Sequence, residues 1–118
     1  MGRLTTHVLD TAHGKPGAGI VFVLHRVDES GERILLTKGI TNSDGRADEP
    51  LLSGDNFQSG VYELEFAAGE YFEQAGVPLS EPRFLDKVIL RFGLDGDESH
   101  YHVPLLVSPW SYSTYRGS

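Results

Sequence analysis

The sequence has no cysteine, and only one methionine and one tryptophan among its 118 residues. The lack of cysteine excludes a disulfide framework, a thiol nucleophile and a cysteine zinc site. No segment approaches the ~20 consecutive apolar residues of a membrane-spanning helix, and the N-terminus has no apolar signal-peptide core. We therefore predict no membrane association and a cytoplasmic location, with a periplasmic one left open.

Basic residues are also scarce. Lysine and arginine number 10 against 17 aspartates and glutamates, so the formal net charge is −7. Nucleic-acid-binding domains usually carry a basic patch, and no basic cluster stands in this chain, so no nucleic-acid partner is expected. The length fits one domain over residues 1–118, which can bury roughly 65% of its unfolded surface. A core of that size needs neither disulfides nor a structural metal.

Alternating or clustered apolar residues between turn signals predict a succession of short strands. The predicted strands cover residues 4–10, 20–27, 33–41, 61–66, 88–94, 100–107 and 110–115, and a further short strand could open the loop over 51–60. Residues 12–17 and 42–45 are predicted as loops. One helix is predicted over residues 69–76, where Gly76 and Pro78 end the pattern. Seven or eight strands with one small helix predict an all-β sandwich in a single domain.

The strand over residues 100–107 places His100 and His102 on one face, opposite an apolar core face. Three interpretations are open for this pair: two surface histidines, a zinc site completed by His7, or acid–base catalysis near neutral pH. His7 shares one face of the first strand with Thr5 and Leu9 and has the same ambiguity, since a single histidine in a strand is more often structural.

Arg46 and the last four residues are further candidates. Arg46 follows an Asp-Gly turn and is either a solvated loop residue or a group that stabilises a developing oxyanion. Tyr115, Arg116, Gly117 and Ser118 follow a strand without a linker. Taken alone, such a tail would be a frayed end. The residues by themselves do not decide whether the histidines, the arginine and the tail meet.

Four segments of the chain resemble the signatures of one known family. They are LTTHVLD over residues 4–10, TNSDGR over 41–46, HYHVPLL over 100–106 and YRGS over 115–118. Together, and in this order, they resemble the 5-hydroxyisourate hydrolase family, the transthyretin-like proteins of purine degradation. The resemblance covers essentially the whole chain. It implies a transthyretin-type β-sandwich of two four-stranded sheets with one short helix.

The resemblance also implies an activity and the residues that carry it. The expected reaction is the hydrolysis of 5-hydroxyisourate to 2-oxo-4-hydroxy-4-carboxy-5-ureidoimidazoline, with water attacking a cyclic amide. Carried over by motif, His7, Arg46, His102 and Ser118 are catalytic. Tyr115 binds substrate with His7 and Arg46, while His100 and Arg116 have supporting roles. No metal and no organic cofactor is implied.

The implied partners are a small-molecule substrate and further copies of the same chain. Members of this family form a homotetramer, a dimer of dimers, with active sites at the subunit interface. That assembly would explain histidines on the outer face of a sheet. Because a fold does not settle a function, a small-ligand carrier on the transthyretin fold is the alternative.

Overall fold

The computed structural model describes residues 2–117, so Met1 and the predicted site residue Ser118 lie outside the described residues. Nine strands, one α-helix and a short 3₁₀ turn make up this part of the chain. In order they are β1 Arg3–Asp10, β2 Lys15–Pro16, β3 Val21–Val27, β4 Arg33–Ile40, β5 Leu52–Ser53, the 3₁₀ turn Gly54–Asn56, β6 Gly60–Ala67, α1 Ala68–Gln74, β7 Lys87–Leu94, β8 His100–Val107 and β9 Tyr112–Ser113.

The strands form two sheets, which confirms the predicted all-β sandwich. One sheet has the order β2-β1-β8-β9 with β5 also paired to β1, and the other has the order β4-β3-β6-β7. Two four-stranded sheets were expected, but the first sheet has five strands. The extra one is the two-residue strand β2, which lies inside the predicted 12–17 loop. Strands β1 and β8 pair in parallel, in a continuous register from Arg3 beside His100 to Asp10 beside Val107.

The core lies between the sheets and is built mainly from alternate residues of β1, β3, β6, β7 and β8. On β6, Tyr62, Leu64 and Phe66 are at most 1% exposed, as their period-two spacing predicted. On β1 the buried positions are Leu4, Thr6, Val8 and Asp10, so Thr5, His7 and Leu9 face outward. This parity fixes which side chains can reach an external ligand. No helix among residues 2–117 is long and apolar enough to cross a bilayer.

The predicted strand over residues 110–115 is wrong in extent, because β9 spans only Tyr112–Ser113. The Ser108 hydroxyl accepts hydrogen bonds from the backbone N–H groups of Trp110 (3.2 Å) and Ser111 (3.1 Å) and so closes a turn there. After β9, the Thr114 hydroxyl donates to the Pro104 carbonyl at 2.7 Å. The local Ser108 bonds compete with strand pairing before β9.

The helix is also shorter than predicted, ending at Gln74 rather than at residue 76. Gly76 follows with φ +82°, the left-handed conformation that commonly closes a helix. Phe72 is 1% exposed and joins the core, and Tyr71 packs against it. The helix therefore acts as a cap on the sandwich, on the side where β1 ends.

Candidate active site

His102 lies on the outer face of β8, directly beside Thr5 in the parallel pairing with β1. The Thr5 Oγ1 and His102 Nδ1 atoms are 2.8 Å apart. Partial burial lowers the pKa of His102 below its ordinary value of 6.5, the positive charge of Arg46 lowers it further, and a proton on His7 would act in the same direction. The imidazole is therefore neutral at pH 7, with one ring nitrogen free to accept a proton.

His7 is held by the loop that carries Arg46. The backbones of His7 and Arg46 form an antiparallel bridge, and the Val8 N–H donates to the Gly45 carbonyl at 2.8 Å. The His7 Nε2 atom lies 2.9 Å from the Asp44 carbonyl oxygen. Because a carbonyl only accepts, Nε2 carries the proton, and Nδ1 holds the lone pair of a neutral His7.

Gly45 makes the close approach of this loop to β1 possible. Its φ of +78° is a left-handed conformation, and a Cβ added there would meet the Val8 carbonyl oxygen at 2.4 Å. A side chain would therefore push the loop away from β1. The glycine of the Asp-Gly turn thus brings Arg46 to the edge where His7 lies.

The tail is bridged to β8 at Gly117. The Gly117 N–H donates to the His102 carbonyl at 2.7 Å, and the His102 N–H donates to the Gly117 carbonyl at 3.1 Å. The Arg116 guanidinium carbon lies 4.2 Å from the centroid of the Tyr101 ring, and its Nη2 donates to the His100 carbonyl at 3.3 Å. The tail is therefore attached to β8 by one β-bridge and by its arginine.

The structure brings together His7, Arg46 and His102, with the Gly117 backbone bonded to that of His102. Tyr115 is 60% exposed and lines a groove beside β7, together with Arg116. His100 is exposed, and its backbone carbonyl, rather than its ring, contacts Arg116. The catalytic, binding and supporting roles assigned from the sequence stay predictions.

Comparisons with known proteins agree on a family. The profile of the HIUase/Transthyretin family matches residues 4–117. The chain belongs to this family. It is 59% identical over 119 residues to the 5-hydroxyisourate hydrolase of Pseudomonas aeruginosa, covering 100% of this chain and 93% of the relative.

Solved structures place the chain in the same HIUase/Transthyretin family fold. A crystal structure of (S)-allantoin synthase matches with a TM-score of 0.92 and 50% identity, over 99% of this chain and 44% of that longer chain. Sea bream transthyretin in complex with thyroxine matches with a TM-score of 0.87 and 25% identity, over 98% of this chain and 94% of that one. The expected family and transthyretin-type fold are confirmed.

Sequence reasoning missed two polar residues that hold the site of this HIUase/Transthyretin family member. Thr5 contacts His102, and the Asn42 side chain accepts hydrogen bonds from the backbone N–H groups of Asp44 (2.9 Å) and Arg46 (3.1 Å). Alternation along β1 already placed Thr5 on the same face as His7. The parallel register with β8, which sets Thr5 against His102, has no signal in a single sequence.

The zinc alternative lacks a ligand set in the described part of the chain. Among residues 2–117, no group of three or more histidine, aspartate or glutamate side chains is arranged to hold a metal ion. His7 Nε2 and His102 Nδ1 are each engaged in a hydrogen bond with a protein oxygen. Each ring therefore keeps one nitrogen, which suits proton transfer with a bound water or substrate.

Proposed function

We propose that this protein hydrolyses 5-hydroxyisourate to 2-oxo-4-hydroxy-4-carboxy-5-ureidoimidazoline. The observation that carries the proposal is the convergence of His7, Arg46 and His102 on the outer face of one sheet. The 59% identity to a 5-hydroxyisourate hydrolase over the whole chain supports the same substrate. The reaction is the opening of a cyclic amide by water.

The reaction needs a base, an oxyanion partner and an acid. Water attacks a ring carbonyl carbon as its proton passes to a base, and the carbonyl oxygen becomes an oxyanion. The C–N bond then breaks as the nitrogen takes a proton. Arg46 offers a planar set of N–H donors for the oxyanion, and one such donor is often worth about 3 kcal/mol of transition-state stabilisation.

We assign the general base to His102. The pKa of His102 is lowered by burial and by the charge of Arg46, so the ring is neutral and able to accept a proton. This role requires His102 Nδ1–H to donate to the Thr5 hydroxyl, which leaves the lone pair on Nε2. His7, fixed through Nε2–H, then binds the substrate beside Arg46.

The tail supplies the remaining predicted groups. Ser118 is joined to Gly117, whose backbone is bound to His102, so we retain Ser118 as a group that positions the attacking water. Tyr115 is assigned to substrate binding, and Arg116 anchors the tail on Tyr101. Removal of Ser118 is expected to abolish most activity while the fold is kept, and full activity would take Ser118 off the site.

A dimer of dimers is the assembly that we propose. Strands β7 and β9 end their sheets, and between them lies a groove of about 440 Å³ whose apolar lining includes Ile89, Phe92 and Tyr112. Two free strand edges beside an apolar groove suit pairing with a second copy. Substrate sites are usually concave, and a second dimer on the outer face of β1 and β8 would enclose His7 and His102.

The assembly is tested by light scattering coupled to gel filtration. A tetramer has four times the chain mass of 13.0 kDa. A protein that stays monomeric at micromolar concentration would contradict the assembly. The cytoplasmic location stays a prediction, which fractionation of the source cells would check.

A small-ligand carrier is the second candidate, favoured by the structural match to a transthyretin that holds thyroxine. The two candidates differ in what the outer face must do. A carrier needs an apolar channel, whereas this face presents two histidines and an arginine.

The deciding experiment follows freshly generated 5-hydroxyisourate by its ultraviolet absorbance, with and without the protein. We expect a rate well above spontaneous decay, which His102→Asn returns close to the background. A wild-type protein that gives no acceleration would overturn the hydrolase proposal. Thyroxine binding without turnover would favour the carrier.

A further inference from the structure

Asn42 is the centre of the hydrogen-bond network in the Arg46 loop. Its side-chain oxygen accepts from two backbone N–H groups, those of Asp44 at 2.9 Å and Arg46 at 3.1 Å. Its own backbone N–H donates to the Arg46 carbonyl at 2.8 Å, and its carbonyl accepts from the Gly45 N–H at 2.9 Å. One residue therefore binds both ends of the turn.

The orientation of the Asn42 amide is fixed from outside the turn. Asn42 Nδ2 lies 3.0 Å from Asp48 Oδ1. Because a carboxylate only accepts, the NH₂ group must face Asp48 and the carbonyl oxygen must face the loop. Asp48 thereby keeps the acceptor of Asn42 turned towards Asp44 and Arg46.

The clamped turn presents two groups to the site. The Asp44 carbonyl accepts from His7 Nε2 at 2.9 Å, and the Gly45 carbonyl accepts from the Val8 N–H at 2.8 Å. The Asp44 carbonyl therefore sets the His7 tautomer, and the backbone of Arg46 is fixed opposite His7. Without the Asn42 side chain, the N–H groups of Asp44 and Arg46 lose their acceptor, and the turn is free to rotate the Asp44 carbonyl away.

We infer that Asn42 is a positioning residue for His7 and Arg46, and that Asp48 orients the Asn42 amide. The inference rests on the proposed hydrolase function for its kinetic readout and on hydrogen bonding alone for its spectroscopic readout. Since a misplacement of about 1 Å can cost about 100-fold in rate, the loss of this clamp reaches catalysis through two side chains at once.

The kinetic experiment compares Asn42→Ala with Asn56→Ala in the full chain. Asn56 is the other asparagine of the chain and is exposed in the 3₁₀ turn, so its replacement is the matched control. We expect Asn42→Ala to lower kcat and kcat/KM together, by 10- to 100-fold, as for groups that act in the transition state. Asn56→Ala should stay within twofold of the wild type.

A double variant tests the amide orientation. Asn42→Asp alone sets two carboxylates against each other and should be impaired. Asn42→Asp combined with Asp48→Asn keeps the net charge. The carboxylate at position 42 then accepts from the loop, and the amide at position 48 donates to that carboxylate. This double variant should recover most of the activity. In Asp48→Asn alone, the new amide oxygen at position 48 can still accept from the Asn42 NH₂ group, so the loss of activity should be small.

Nitrogen-15 NMR of the His7 ring separates this inference from the function. The wild type should show the Nε2–H tautomer, Asn42→Ala a mixture of tautomers, and the double variant the Nε2–H tautomer again. The inference is overturned if a folded Asn42→Ala keeps its kcat and its His7 tautomer, or if a folded double variant recovers neither. Should Asn42→Ala fail to fold, the comparison of Asn42→Asp with the double variant decides. If the wild type is inactive, the hydrolase proposal fails while the tautomer comparison still decides the role of Asn42.

Discussion

Two histidines, His13 in the turn after β1 and His102 on β8, have different partners. His13 Nδ1 lies 2.7 Å from the Asp10 carboxylate, which also accepts from the Tyr71 hydroxyl at 2.7 Å. The Asp10 side chain is fully buried. Burial raises the pKa of Asp10, but the hydrogen bonds from Tyr71 and His13 outweigh burial, so its pKa is below 3.8. His102 has a hydroxyl partner, with the Arg46 cation nearby.

The comparison shows how the partner decides what a histidine can do. An ionised carboxylate favours a histidine that donates its proton, so His13 and Tyr71 act as fixed donors that join the end of β1 to α1. A hydroxyl partner and a neighbouring cation favour a neutral ring that accepts a proton. Both carboxylate and hydroxyl come from β1, where Asp10 has inward parity and Thr5 outward parity. Asp10, His13 and Tyr71 form a structural cluster on the inner side of β1, whereas the candidate site lies on its outer side.

The largest effect is expected from a substitution in the candidate site, compared with one in the structural cluster. His102→Asn should lower kcat/KM by about 1,000-fold, within the range for removal of a general base. His13→Asn should leave kcat/KM within about twofold of the wild type, since His13 contacts Asp10 rather than the site. The measurement is the initial rate of 5-hydroxyisourate loss, with circular dichroism to confirm folding. An equal loss of kcat/KM in both variants would contradict the distinction between the candidate site and the structural cluster.

Arg46→Gln should lower kcat by about 100-fold, because an oxyanion partner is lost. It should also change the pH profile. His102 must be neutral to act as base, so the acid limb of kcat/KM should lie below pH 6.5 in the wild type. Without the Arg46 charge, protonation is easier, and the limb should move up towards pH 6.5. Arg46→Lys keeps the charge, so the acid limb of its kcat/KM profile should stay at the wild-type pH. An acid limb at the wild-type pH in Arg46→Gln would contradict this account.

Tyr71→Phe tests the structural cluster and should destabilise the fold by about 2 kcal/mol, as expected for a hydrogen bond to a charged group. Because the folded pKa of Asp10 is below 3.8, its stabilising bonds are fully present above that pH and are lost as pH falls through the folded pKa. The urea midpoints of variant and wild type should therefore differ at pH 7 and converge in acid. Activity at low temperature should be unchanged, and a large loss of kcat would tie the cluster to the site.

The smallest expected effect sharpens the role of the hydroxyl. Thr5→Val removes the Oγ1 acceptor of His102 with little change in shape, and kcat should fall about tenfold as the ring loses its preferred tautomer. Thr5→Ser restores the hydroxyl and should restore the rate. A valine variant with wild-type kcat would show that the ring is oriented by packing alone.

The sequence allowed the faces of the strands to be predicted, but not their neighbours. Period two placed His102 outward and Tyr62 inward, and it placed His7 on one face with Thr5. The strand over residues 100–107 is confirmed to the residue. The parallel pairing of β1 with β8 joins residues 97 positions apart, which no local pattern encodes. The Thr5 contact was missed for that reason, and the extent of β9 because Ser108 bonds locally.

The pairing of β1 with β8 also has a consequence for folding. Thr5 and His102 meet only when the two ends of the chain come together, and such distant contacts form slowly because a long loop must close first. Catalytic competence should therefore be among the last properties to return during refolding, after far-ultraviolet circular dichroism has recovered. The recovery of 5-hydroxyisourate hydrolysis would then report when β1 pairs with β8.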